Sequence, residues 1–326
     1  MKNYKQFLFE AKNNKVTWIK LEPVKSAVES KKLKELITTA LDNFFNLIYL
    51  SNKTESTIDK ETPILVYFGT NKDGIEYLKD QGIEQSDIYN RTVEVAKSSR
   101  KDDWHDLLGD KDWLPKTVTD KSKIKDLTFP IIAKPSQGHS GLGIMKFDTL
   151  EDCLKELDKK DNKLDTFSEC IKDIDSEYRF VFVKGNLFLV HERIPIESNN
   201  KTIDTKKPDE SLSFLYVEQD LSNDKFNYDI SKIVDEFRKH IDLDFYALDV
   251  MQDKSGKYWV LESNSGIGMG GNTMSRAYEA IYKDFYNTDI PSDKKELVEQ
   301  ICSDYYNEIL KMFPKEVKKS KNAKEY

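Results

Sequence analysis

Asp249, Glu262 and Asn264 are the residues of this 326-residue chain whose types and spacing point most directly to chemistry. They fall on two apolar runs, Phe245–Met251 and Tyr258–Leu261 with its continuation, separated by the polar break Asp253-Lys254-Ser255-Gly256. That pattern predicts a β-hairpin. A turn centred between Ser255 and Gly256 sets Asp249 opposite Glu262, and Asn264 shares the face of Glu262 because side chains alternate along a strand. Two carboxylates and an amide oxygen then gather on one side of a sheet. Like charges placed opposite each other repel, so a cation between them is the natural compensation. Hard oxygen donors of this kind suit Mg²⁺, which takes one or two carboxylates and completes its shell with water and substrate phosphates. A plain surface hairpin with its acids in solvent accounts for the same residues, and the hairpin alone does not choose.

A second group lies upstream. The run Phe129–Pro135 reads as a strand ending at Lys134, followed by Ser136-Gln137-Gly138-His139-Ser140-Gly141-Leu142-Gly143 and a second strand at Ile144–Phe147. Three glycines let a backbone approach a ligand closely and turn its N–H groups inward on an anion, with Lys134 adding a cation. The loop lacks GxxxxGK[ST] and no helix follows it, which argues against a Walker-type loop. A third group sits on a hairpin whose strands are Glu177–Val183 and Leu187–Ile194. Glu177 and Arg179 share one face of the first strand, and His191 and Arg193 share one face of the second. Charges in strands also serve as edge protection, but both strands are otherwise apolar enough to be central.

The elements that must position these groups follow from periodicity. Strands are expected at Val16–Leu21, Pro63–Gly69 and Thr166–Ile171, and helices at Leu33–Leu50, Gly74–Gln81, Asp87–Lys101, Leu150–Lys159, Ser231–His240, Thr273–Tyr286 and Leu297–Phe313. Alternating strands and helices before Asp112 suggest a small α/β unit with a parallel sheet. Proline in Trp113-Leu114-Pro115-Lys116-Thr117 marks a boundary. The polar stretch Glu197–Ser211 reads as a loop insertion, and Pro314–Tyr326 as a solvated lysine-rich tail.

Composition narrows the class. The formal charge of −7 argues against a nucleic-acid binder that wraps phosphates in Lys and Arg. Three scattered cysteines show neither zinc spacing nor an even count for disulfides, which points to a reducing compartment. No apolar run approaches a membrane span, and Met1–Glu10 is too polar for a secretory signal, so the expectation is a cytoplasmic protein.

Taken in order, the motifs AKPSQGHSGLGI, FSECIKDIDSEYRF and ALDV…VLESNSG resemble those of the ATP-grasp superfamily of carboxylate–amine and carboxylate–thiol ligases, over about Trp113–Tyr286. The resemblance implies an α/β protein with α+β lobes, in which two β-sheet lobes clasp a nucleotide behind a small α/β N-terminal domain. It implies domains at 1–112, 113–290 (lobes 113–190 and 191–290) and 291–326, the last a terminal helix and basic tail. The implied cofactors are ATP and Mg²⁺. Lys134 would contact the α- and β-phosphates, and Gly138 to Gly143, with His139, Ser140 and Gly141, would close over the triphosphate. Glu169, Cys170 and Ile171 would line the adenine pocket, and Glu177 would accept from the ribose hydroxyls. Asp249, Glu262 and Asn264 would hold one or two Mg²⁺ ions. Arg193, with Lys134, would act on the transferred phosphate, and Arg179 and His191 would stand beside it. His139 is an unusual bulk for the loop, and Ser265-Gly266-Ile267-Gly268 stands where the family often has proline. The implied activity is phosphorylation of a small-molecule or peptide carboxylate followed by condensation with an amine. The alternatives are a kinase on the same fold and a non-catalytic nucleotide-binding protein.

Overall fold

The computed structural model describes residues 16–20, 45–49, 64–67, 78–84, 86, 88–99, 101–136, 143–195, 214–219, 221, 226–265, 279–280, 282–284, 287–292, 295–296 and 299–300. The stretch 137–142, the insertion 197–211, most of the helix expected at 297–313 and the tail lie outside the described residues, as does much of the helix expected at 273–286.

Three sheets organise what is described. Strands β1 (Val16–Lys20), β2 (Phe45–Tyr49), β3 (Ile64–Tyr67) and β4 (Ile88–Tyr89) form a parallel sheet in the order β2-β1-β3-β4. Two expectations are corrected here. The helical spacing read over 33–50 gives way at Phe45–Tyr49 to a strand that pairs in parallel with β1, because a short run of apolar residues fits either period and pairing with a neighbouring strand decides it. The helix expected from Asp87 begins only at Thr92, since Ile88 and Tyr89 pair with β3 and Asn90 turns the chain with a φ of 60°. Helix α1 (Thr92–Ser99) is followed by a separate helix α2 (Lys101–Leu108).

Strands β5 (Thr117–Val118), β6 (Ile131–Lys134), β7 (Met145–Phe147) and β8 (Thr166–Glu169) make an antiparallel sheet in the order β5-β8-β6-β7. Helix α3 (Leu150–Leu157) covers it, and Ile131, Ala133, Phe167 and Cys153 are buried between them. Thr149 caps the helix by accepting from the Asp152 amide at 3.2 Å.

The third sheet is also antiparallel, with β9 (Ile174–Val183), β10 (Asn186–Pro195), β11 (Phe214–Glu218), β12 (Phe245–Asp253) and β13 (Tyr258–Asn264) in the order β11-β10-β9-β12-β13. A lobe break at 190/191 would cut β10 in half; the sheets instead change over in the link between Glu169 and Ile174. The expectation failed because an antiparallel hairpin with a two-residue turn, Lys184-Gly185, keeps both strands in one sheet.

One face of this sheet is aromatic and aliphatic. Tyr178, Phe180 and Phe182 on β9, Tyr246, Leu248 and Val250 on β12, and Val260 on β13 pack against helix α4 (Asn227–Arg238) through Ile233, Val234 and Phe237, and against Trp104 of α2. Phe237 stacks on Tyr246 at 5.4 Å, and Tyr246 on Phe182 at 5.1 Å. Alternation then sends the other side chains of β9 and β12 to the opposite face. Among the described residues no helix is long and apolar enough to cross a membrane. Because Phe237 is fully buried in this stack, Phe237→Ala is expected to cost about 3–5 kcal/mol, read as a lower urea midpoint with an unchanged slope.

Candidate functional site

The face opposite the core carries charge. Across four strands the register sets His191 beside Arg179, Arg179 beside Asp249, and Asp249 beside Glu262. Ala247 lies opposite Asn264, which places the amide on the same face as Glu262. Glu177 and Arg193 occupy the same face one step along β9 and β10.

The pairing of Asp249 with Glu262 arises differently from the sequence expectation. The turn is not centred between Ser255 and Gly256. Asp253 pairs with Lys257 (N–H to carbonyl, 3.0 Å), so the turn is three residues long, and Gly256 closes it at a φ of 88°. That left-handed conformation is cheap only for glycine. Asp253 fixes the turn by accepting from the amides of Ser255 and Lys257 and from Trp259 Nε1. The hairpin then runs one residue out of the expected register, with Val250 facing Val260, until Leu261 inserts as a β-bulge and restores Asp249 to Glu262. The bulge aims the two acids at one another.

Asp249 is 3% exposed. Arg179 closes on it with two parallel bonds, Nε to Oδ1 at 2.7 Å and Nη2 to Oδ2 at 2.8 Å. Asn264 donates Nδ2–H to Oδ2 at 3.2 Å. Burial pushes the Asp249 carboxyl up, but the charge and hydrogen bonds of Arg179, with Arg193 and a hydrogen bond with Glu262, outweigh it and hold the group below the usual carboxylate range. Arg193 makes a salt bridge to Glu177 through Nη1 and Oε1. There burial wins over the arginine and raises Glu177. Glu262 and Asn264 are only half-buried, so they form the open side of the group. Two facing carboxylates and an amide are a hard-oxygen set that fits Mg²⁺. Among the described residues no cluster of three or more His, Cys, Asp or Glu side chains assembles into a metal-holding group, so the amide is needed to complete the set.

The other expected residues lie on the smaller sheet and its link. Lys134 ends β6, half-buried, and its charge acts on His105 of α2. The loop after it is pinned at both ends. Ser136 donates its amide and hydroxyl to Asp165 Oδ2 at 3.2 and 2.6 Å. Gly143, at a φ of 78°, returns so closely that a Cβ there would stand 3.0 Å from Pro135 Cγ. Gly138, His139, Ser140 and Gly141 themselves lie outside the described residues. Glu169 accepts from the Thr128 amide at 2.8 Å, and the Cys170 amide donates to the Pro130 carbonyl at 3.0 Å. Glu169, Cys170 and Ile171 border an open groove of about 880 Å³ that is walled by Pro115, Lys257 and Trp259. The residues that line the groove do not include Lys134, Glu177 or Asp249.

Sequence reasoning missed two residues. Asn90 is fully buried and clamps the start of β12, accepting from the Phe245 amide at 2.7 Å and donating to the Phe245 carbonyl at 2.5 Å. Its only signal was an Asn just before a helix, ordinarily a cap. His105, stacked on Trp104 at 4.4 Å, had no signal at all.

The buried His105 and the half-buried His191 are both held towards the neutral form. Burial and Arg179 lower His191 to about 4, and burial and Lys134 lower His105 to about 3. A histidine whose folded pKa is depressed takes up its proton in the unfolded chain first, so its share of stability is complete above the unfolded value of 6.5 and is lost as pH falls towards the folded value. The chain should therefore lose stability between about pH 6.5 and 4. His191→Gln should flatten that loss in urea titrations at stepped pH.

No family model matches the sequence, and no curated protein matches it. Solved structures do. A D-alanine–D-alanine ligase from Bacillus anthracis superposes with a TM-score of 0.59 at 14% identity, covering 91% of this chain and 99% of that one. The same ligase complexed with ATP gives 0.58 at 14% identity over the same shares. A D-alanyl-alanine synthetase A from Vibrio cholerae gives 0.54 at 15% identity, over 90% of this chain and 99% of that one. The agreement spans nearly the whole of both chains, and with the two antiparallel sheets behind a parallel one it establishes that this chain has the ATP-grasp fold.

Proposed function

We propose that the chain is an ATP- and Mg²⁺-dependent ligase that activates a carboxylate as an acyl phosphate and joins it to an amine. One observation carries the reading: Asp249, Glu262 and Asn264 stand together on one sheet face with Arg179 and Arg193 beside them. The fold supports it, since a ligase of the same fold is known complexed with ATP.

Phosphoryl transfer asks a protein for positioning and charge neutralisation more than for covalent help. Lys134 and the backbone of the glycine-rich segment Gly138–Gly143 would hold the phosphates. Glu169, Cys170 and Ile171 border the adenine, and Glu177 takes the ribose hydroxyls. Asp249, Glu262 and Asn264 would hold Mg²⁺, which would supply charge neutralisation for the transferred phosphoryl group. An oxygen of the substrate carboxylate attacks the γ-phosphorus while its bond to the ADP oxygen breaks, and Arg193 steadies the phosphoryl oxygens. The amine then adds to the acyl carbon and loses a proton, and inorganic phosphate leaves. Small acids or peptides are the substrates. In this reading residues 1–112 lead, 113–290 hold the nucleotide and 291–326 follow it.

The test is a panel of amino acids, small acids and peptides with ATP and Mg²⁺. ADP, phosphate and a condensed product by mass spectrometry are expected only with an acid and an amine together. A phosphorylated hydroxyl compound would mean a kinase, and thermal stabilisation by ATP without turnover would mean a nucleotide-binding protein. Glu262→Gln should lower kcat/KM by about 100-fold or more, the scale of losing several kcal/mol of charge stabilisation.

A further inference from the structure

Asp249 is crowded with donors. A carboxylate offers about four lone-pair positions, and here Arg179 takes two and Asn264 one, with Glu262 facing it on the next strand. The Arg179 side chain is itself only 18% exposed, so the pair is shielded from water. Arg179 is also a resident of the sheet, set directly opposite Asp249 by the strand register. A divalent cation that uses Asp249 therefore competes with these donors, and the strongest of them is the guanidinium, whose planar fork matches phosphate as well as carboxylate.

From this we infer that Arg179 is a placeholder cation: it occupies Asp249 until a metal ion arrives with nucleotide phosphates that take the guanidinium in exchange. The inference rests on the proposed function, in which Asp249 is a metal ligand. Its consequence is coupling. Metal alone would take from the guanidinium its two short bonds to Asp249 in a shielded site, a costly exchange. Metal with a polyphosphate leaves no charge unpaired. By linkage the two then raise each other's affinity equally. Arg179 is in this sense a positioning residue, acting on the metal through Asp249.

The experiment measures Mn²⁺ binding to the full chain by electron paramagnetic resonance, with and without a non-hydrolysable ATP analogue, and the shift in Tm that Mn²⁺ causes. Wild type should bind Mn²⁺ weakly alone and well with the analogue. Arg179→Met should bind Mn²⁺ alone about tenfold or more tighter than wild type, within the range by which groups around a metal site change affinity. It should melt lower without metal and recover Tm on adding Mn²⁺, whereas wild type barely moves. Arg179→Lys keeps the charge and the stem but loses the fork, and should show a smaller gain in the same direction. It serves also if the methionine variant does not fold. If wild type binds Mn²⁺ with the analogue and neither variant gains affinity for Mn²⁺ alone, the placeholder role is overturned. If wild type binds no Mn²⁺ even with the analogue, the proposed function itself fails.

Discussion

Asp249 lies in the second of two central strands, nearly sealed from water, and a carboxylate there is tolerable only because a guanidinium closes on it from the neighbouring strand. Removing either partner leaves an uncompensated buried charge, the situation in which ion pairs matter most. The pair in turn fixes the geometry around it. Asn264 is oriented by its bond to the same carboxylate, Glu262 is set beside it by the Leu261 bulge, and His191 is kept neutral on the far side of Arg179. The charged face is thus one connected arrangement.

That arrangement exists because the sheet has two incompatible sides. Aromatic rings of β9 and β12 commit one face to helix α4. Over Glu177–Phe180 the alternation of β9 sends Glu177 and Arg179 to the other face, which turns apolar further along at Val181, Val183 and Ala247. Asn90 contributes from outside the sheet by holding the first residue of β12, so the leading part of the chain helps to set where Asp249 begins.

Much of this was legible in the sequence, and the reason is the period of two. Glu177 with Arg179, and His191 with Arg193, could be placed on shared faces because alternation survives any plausible strand ends. The link at 170–173 was harder. A hairpin signal at Lys184-Gly185 says that two strands pair but not which sheet they join, so the division of the lobes was misplaced. Phe45–Tyr49 was misread because a short apolar run fits a helical face as well as a strand, and the pairing with β1 that decides it is not local. The Asp249–Glu262 pairing came out right by two offsetting errors, a turn one residue shorter and a bulge one residue longer, neither of which composition encodes. The pairing of Arg179 with Asp249 was the larger omission. Sequence can place a cation's worth of need between two acids, but whether a side chain already fills it depends on the neighbouring strand's register.

The two arginines also explain how so acidic a chain, at −7 overall, can present a face to a polyphosphate. Each is paired with an acid, Arg179 with Asp249 and Arg193 with Glu177. On the proposed function, entry of an anion accompanied by a divalent metal would exchange partners in these pairs instead of creating or destroying charge. Exchange of carboxylate for phosphate on a guanidinium keeps the same number of strong hydrogen bonds, so the desolvation already incurred in folding is not incurred again on binding. An anion arriving without a metal would have to expel Asp249 and Glu177 from their arginines and leave them facing it, which repulsion forbids. On the proposed function, discrimination for metal-bound anions would therefore reside in these pairs, before any step of the reaction begins.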